Sequence, residues 1–227
     1  MARLKGQIMG KPKGKVGDIV FKSLYGNTLI VSAPTSFRAP MDEASVTRRT
    51  KFRFVVKLSA AIIRLLSVKI LWKKSVPAGQ SGYSYLLSNA YRRVGADLDI
   101  SAVKLINKPQ FVCSNPAVVV NANSIKVDMD ALGAQTGIDP NVEKTASLEG
   151  VVYLSSPTSE TDAPYQFIPF SSQDLAVDIS TALSFTVPLV GADAITFGEY
   201  SVKKILATLV TKDADGNPVK ASVTFFN

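Results

Sequence analysis

Apolar residues along this chain of 227 residues change their spacing near Pro109. Between Glu43 and about Lys74 they recur at helical intervals, and beyond Pro109 they come in short β-branched or aromatic runs. From Glu43 to about Lys74 there is no Pro or Gly. Phe52, Val55, Val56, Ile62, Ile63, Leu66 and Ile70 form one stripe there. Arg48, Arg49, Arg53, Lys57, Arg64, Lys73 and Lys74 lie mostly off it. This pattern predicts a long basic amphipathic helix, opened by Met41-Asp42-Glu43, whose acidic groups suit the positive end of a helix. Pro77-Ala78-Gly79-Gln80 breaks the pattern. A shorter helix is expected next, capped by Ser81 or Ser84, running through Arg93 and closed by Gly95. The two helices should form a hairpin with their apolar faces together.

Upstream, Val16–Lys22 and Thr28–Ser32 read as strands joined through Leu24-Tyr25-Gly26-Asn27. Downstream, strands are expected over Phe111–Ser114, Ala117–Asn121, Ser124–Asp128, Gly150–Ser155, Leu183–Pro188, Ile195–Phe197, Lys204–Lys212 and Val219–Phe226. Gly, Pro, Asn and Asp clusters separate them, as in an antiparallel sandwich. Asp213-Ala214-Asp215-Gly216-Asn217 should be a hairpin turn. The fold class expected is α+β. Residues 1–108 would hold a basic N-terminal arm, a β-hairpin and a helical hairpin, and residues 109–227 an Ig-like antiparallel β-sandwich.

Charge sharpens the division. Residues 1–109 hold 20 Lys and Arg against 5 Asp and Glu, a net of +15, while residues 110–227 hold 6 against 13, a net of −7. The basic half can lie against phosphate or an acidic protein, and opposite signs let one copy dock head-to-tail on the next. Gly6, Gly10, Gly14, Gly17 and Gly26 among Lys5, Lys11, Lys13, Lys15 and Lys22 give residues 1–26 the composition of a flexible arm. A mean hydropathy of +0.17 leans towards burial in subunit contacts.

The same composition weighs against most hydrolase and metalloenzyme mechanisms. Histidine is absent, which removes the commonest general base and metal ligand. The single cysteine, Cys113, lies in the apolar run Gln110–Ser114 and reads as a small buried hydrophobe. Gly10-Lys11-Pro12-Lys13-Gly14-Lys15-Val16 has three residues between its glycines where a phosphate loop has four, and Val16 where that loop has Ser or Thr. Asp213-x-Asp215-Gly216-Asn217 starts like a calcium loop but lacks the later ligands. The pairs Asp97/Asp99 and Asp128/Asp130 read as solvated turns. No enzyme activity, cofactor or metal is therefore expected. Met1–Lys5 is basic but no apolar core follows, so no secretory signal is expected. Phe52–Trp72 is interrupted by Arg53, Lys57, Arg64 and Lys69, so it should not span a membrane.

The candidates that remain are contact charges: Lys11, Lys13, Lys15, Arg38, Arg48, Arg49, Arg53 and Lys57. Arg48-Arg49-x-Lys51-x-Arg53 followed by Lys57 can meet acidic protein neighbours or track phosphates. Tyr25, Phe37 and Trp72 are available for stacking but are not interleaved with the charges as in a nucleic-acid platform.

Three segments carry a resemblance. Gly14-Lys15-Val16-Gly17-Asp18-Ile19-Val20, Ser36-Phe37-Arg38-Ala39-Pro40 and Arg48-Arg49-x-Lys51-Phe52 resemble a domain family of uncharacterised function from Bacteroidota and their phages. The late strand, Asp-Gly turn and final strand are similar too. The chain departs at Ala39-Pro40-Met41, where that family more often has Asn-Pro-Arg. The resemblance implies a non-enzymatic virion structural protein, in the tail or head–tail ring of a phage of the crAss-like group. Its partners would be copies of itself and neighbouring virion proteins in particles assembled in the host cytoplasm. The other reading of the same basic surface is a DNA-contacting architectural protein.

Overall fold

The computed structural model describes residues 2–3, 13–24, 27–33, 41–95 and 97–227. Two compact units emerge: Met1–Arg49 with Pro77–Gln80, and Thr50–Val76 with Ser81–Asn227. The described residues form four α-helices and antiparallel sheets, and most strands fall in the C-terminal half.

The first unit contains β1 (Ala2–Arg3), β2 (Gly14–Val16), β3 (Ile19–Leu24) and β4 (Asn27–Ser32). They pair antiparallel in the order β1-β4-β3-β2. The expected hairpin is present, with Leu24 opposite Asn27 and residues 25–26 between them outside the described set. Ala2–Arg3 and Gly14–Val16, which composition assigned to an arm, are strands here. Gly17, at φ 57°, makes the β2–β3 turn in a conformation that a side chain would strain. None of the described side chains in these strands is buried, and Val16, Ile19 and Leu24 are 69%, 45% and 52% exposed.

The predicted long helix is two. The helix α1 (Glu43–Ile62) opens at Asp42, whose Oδ2 accepts from the Ser45 N–H at 2.9 Å. Hydrogen bonds with Ser45 hold the Asp42 carboxyl below its usual range. The chain then tightens, with Arg64 N–H bonded to Ala61 O and Leu65 N–H to Ile62 O, and Leu65 is extended. After that break comes α2 (Leu66–Ser75). No Pro or Gly marks the break, so periodicity alone could not reveal it. The stripe shifts accordingly: Phe54, Leu58, Val68, Leu71 and Trp72 are buried, while Phe52, Leu66 and Ile70 stand 50%, 71% and 38% exposed. The next helix, α3 (Gly82–Arg93), is capped by Ser81, whose Oγ accepts from the Ser84 N–H at 3.1 Å. It packs on α2, with Trp72 and Tyr85 edge to face at 5.8 Å.

Beyond the helices run β5 (Ala117–Val120), β6 (Ser124–Met129), β7 (Thr145–Pro157), β8 (Tyr165–Ser171), β9 (Leu175–Ala176) and β10 (Leu183–Pro188). Then come a short helix α4 (Ala192–Gly198), β11 (Tyr200–Lys212), β12 (Pro218–Ala221) and β13 (Phe225–Phe226). One antiparallel sheet has the order β10-β6-β5, and the other β12-β11-β7-β8, with β9 on β7 and β13 on β11. β10 alternates buried and exposed residues, as a strand with one wet face must. The central runs of β7 and β11 are buried on both faces. Ala146, Leu148, Val152, Ile205, Ala207 and Leu209 meet Ile125, Val127, Phe185 and Val187 of the smaller sheet. Val151, Leu206 and Val210 point the other way, into a core with Phe54, Leu58, Trp72 and Leu86. Helices, large sheet and small sheet thus stack as three layers, and the change in sequence texture at Pro109 is no break in packing. Within the large sheet Gly150 lies between Ala207 of β11 and Phe170 of β8. A Cβ there would clash with Leu206 O and with the Phe170 ring, so the position admits only glycine.

Three strand expectations need correction, the first being Val219–Phe226, which is two strands, β12 and β13, paired with different stretches of β11. Ile195–Phe197 lies in α4, where Phe197 alone is fully buried and plugs the core. Phe111–Ser114 forms only an isolated parallel bridge, Phe111 to Ser222. β8 was not foreseen because Pro164 and Pro169 interrupt its pattern. It lies at the edge of the main path of its sheet, where proline is tolerated.

Candidate contact surface

The basic face of α1 is set by what lies beneath it. Phe54, fully buried, meets the rings of Tyr165, Phe167 and Tyr153 edge-on at 4.8, 5.1 and 5.4 Å. Each such pair adds about 0.5–1.5 kcal/mol beyond burial. With Phe54 turned inward, Arg53 and Lys57 stay outside. The Lys57 ammonium lies 5.0 Å from the Tyr165 ring centroid. Burial pushes the Tyr165 phenol above its ordinary value, and the positive charge of Arg53 opposes that rise. Arg53, Lys57 and Tyr165 therefore form one patch.

Two clefts adjoin it. Lys57, Ala60, Ala61, Arg64, Gln166 and Phe167 line about 250 Å³. Arg64 also borders a cleft of about 480 Å³ with Ser67, Ile70, Glu149, Phe170 and Lys212. Glu149, from β7, faces the start of α2 and is 3% exposed, and its Oε2 has no hydrogen-bond partner. Burial raises its carboxyl pKa, against the Ser67 hydroxyl, the Lys212 charge and the Val68 N–H. Lys212 Nζ is itself held 2.6 Å from Asp174. A third recess, about 360 Å³ and mostly apolar, lies between α1 and α3 at Phe52, Leu87 and Tyr91.

The remaining expected contact residues are dispersed. Arg48 donates to Ser45 Oγ at 2.9 Å, and Arg49 donates to Met41 Sδ at 3.7 Å. Lys13 and Lys15 are exposed in the first unit. Lys11 and Arg38 lie outside the described residues. Tyr165, Arg64, Tyr91 and Arg92 join the surface although sequence reasoning did not select them as contact residues. A tyrosine distant in the chain gives no local sign that it will lie under Lys57.

Of the other motifs, residues 213–217 form a turn and Cys113 is core, whereas Asp128, expected in a solvated turn, lies on β6. Asp213 Oδ1 accepts from the N–H groups of Asp215 and Asn217, a self-contained turn. Asp99 pairs with Lys204 at 3.3 Å and Asp128 with Lys126 at 2.8 Å. A hydrogen bond from Ser101 holds the Asp99 carboxyl low, and one from Lys126 does so for Asp128. Cys113 is buried, and burial pushes its thiol up to about 11. Among the described residues no group of three or more Cys, Asp or Glu is placed to hold a metal ion. No described helix is long and apolar enough to cross a membrane.

No family model and no curated protein matches this chain. Among solved structures it is similar to DesR, a β-glucosidase from Streptomyces venezuelae in complex with D-glucose. Identity there is 15%, coverage 51% of this chain and 14% of that one, and the TM-score 0.22. So slight a likeness carries no argument about either fold or function.

Proposed function

We propose that this chain is a non-enzymatic structural subunit of a multimeric particle, in the ring or tail region of a phage virion. The observation that carries this reading is the N-terminal sheet, in which no described side chain is buried although Val16, Ile19 and Leu24 are apolar. A sheet needs a packed face to be stable, and another subunit supplies one. The cations of α1 support the same reading, because they are in no ion pair among the described residues and their charge is available to a neighbour. In this reading the C-terminal half is an Ig-like sandwich that docks other virion proteins, and the basic N-terminal sheet lies against an adjacent copy. The virion placement itself rests on the family resemblance of the Gly14–Val20 and Arg48–Phe52 segments.

Charge reversal tests the role of the basic face. Arg48→Glu with Arg49→Glu should leave the circular dichroism spectrum and melting temperature unchanged while the multimer disappears from sedimentation velocity runs. Multimers of normal size from this variant would remove the helix from the assembly. A DNA-contacting protein would behave differently: the wild type would bind duplex DNA with an affinity that falls steeply with salt, and the same reversal would abolish that binding.

A further inference from the structure

The recess between α1 and α3 has the form of a socket. Ser84, Leu87, Ser88, Tyr91 and Arg92 follow the i, i+3, i+4, i+7, i+8 spacing of one helix face, and Phe52 completes the lining. Phe52 is 50% exposed and lies edge-on to Tyr91 at 6.4 Å. The Lys51 ammonium sits 4.8 Å from the Tyr91 ring centroid. Lys51, Arg53 and Arg92 are in no ion pair among the described residues. An apolar floor with an unpaired cationic rim is complementary to an apolar side chain carried among carboxylates.

The acidic half presents such a group. Val190 and Ile195, 71% and 67% exposed, flank the first turn of α4. Asp193 and Glu199 stand on either side of Ile195 in the chain. The loop at 158–164 is fastened to the same corner, since the Thr158 N–H and hydroxyl donate to Glu199 O at 2.8 and 3.0 Å. The Tyr200 hydroxyl donates to Ala163 O at 2.8 Å. That loop brings Glu160 and Asp162, and none of the four carboxylates is in an ion pair among the described residues.

We infer that a second copy of this chain seats its Val190–Ile195 corner in the α1–α3 socket, with Asp193 and its neighbouring carboxylates facing Lys51 and Arg92. This deepens, and rests on, the reading of the chain as an assembling subunit. Socket and corner are different surfaces, so the contact is heterologous and repeats copy after copy, closing into a ring or extending as a filament.

Complementation tests the pairing on the full-length chain. Leu87→Asp destroys the socket and Ile195→Asp the corner. Each variant alone should sediment as a monomer. An equimolar mixture should give a dimer and nothing larger, because one partner retains the socket and the other the corner. Since Leu87 is partly buried, exposed charges provide a second arm that does not depend on it. Arg92→Glu should weaken association at least tenfold, and adding Asp193→Arg to the same chain should restore it. A wild-type multimer that all these variants leave intact would overturn the pairing while sparing the assembly reading. A wild type that is monomeric at every concentration would sink both.

Discussion

The basic residues of the helices and the lysines of the acidic half are handled in opposite ways. Of the six lysines beyond residue 109, Lys126, Lys204, Lys212 and Lys220 are in ion pairs. Of the eleven Lys and Arg between Glu43 and Gly95, none is in an ion pair with any described residue. Net charge counts both sets alike, but only the first is matched by carboxylates among the described residues. The second makes only ring contacts and neutral hydrogen bonds, as Lys57 does over Tyr165 and Lys74 to Pro218 O, and its charge has no carboxylate partner among the described residues. A charge cluster is informative about function where the fold has left it without a carboxylate.

Variants can break this contrast in graded steps. The largest effect should come from Phe54→Ala, which removes the common support of helix and sheet. It should cost about 3–5 kcal/mol, read as a drop in the denaturant midpoint. Lys220→Met comes next. Lys220 Nζ lies 2.7 Å from Glu143 Oε1, and the Glu143 side chain is 1% exposed. Removing the lysine strands a buried carboxylate at a cost of about 3 kcal/mol. A loss below 1 kcal/mol would show that the Thr211 hydroxyl and the Asp139 N–H, which also donate to Glu143, satisfy the group between them.

Glu149→Gln should act in the opposite direction and with smaller size. The raised pKa of Glu149 means that the folded protein holds a proton which the unfolded chain has already released. Stability is therefore lost as pH rises from the ordinary carboxylate range through the folded value. Glutamine removes that loss, so the variant should melt higher than the wild type at neutral pH and converge with it in acid. A variant that melts lower at neutral pH would mean that the charged carboxylate stabilises the start of α2. Smallest of all, Lys126→Ala should leave the denaturant midpoint nearly unchanged, because its pair with Asp128 is solvent-exposed. Arg53→Glu with Lys57→Glu should also leave the denaturant midpoint nearly unchanged, yet remove self-association. That dissociation of stability from assembly is the contrast in its sharpest form.

Local signals were legible and long-range ones were not. The Asp42 start of α1, the Ser81 cap, the turn at 213–217 and the alternation of β6 and β10 each follow from a few neighbouring residues. The break at Ile63–Leu65 carries no Gly or Pro, and α2 restarts there against Glu149 on a strand far along the chain. Ile195-Thr196-Phe197 has β-branched and aromatic texture, but the site needs one buried ring, and a single helical turn delivers it. Arg53 and Lys57 could be selected from charge and spacing. Tyr165 beneath Lys57 could not, since only the packing of β8 against α1 brings it there.

The central claim is that the chain assembles with itself through surfaces that the fold leaves unpaired. Light scattering on the full-length protein, at low and high salt and with and without duplex DNA, tests it most directly. The account predicts a discrete multimer whose mass does not change when DNA is added. A monomer that shifts only in the presence of DNA, and releases it at high salt, would contradict it.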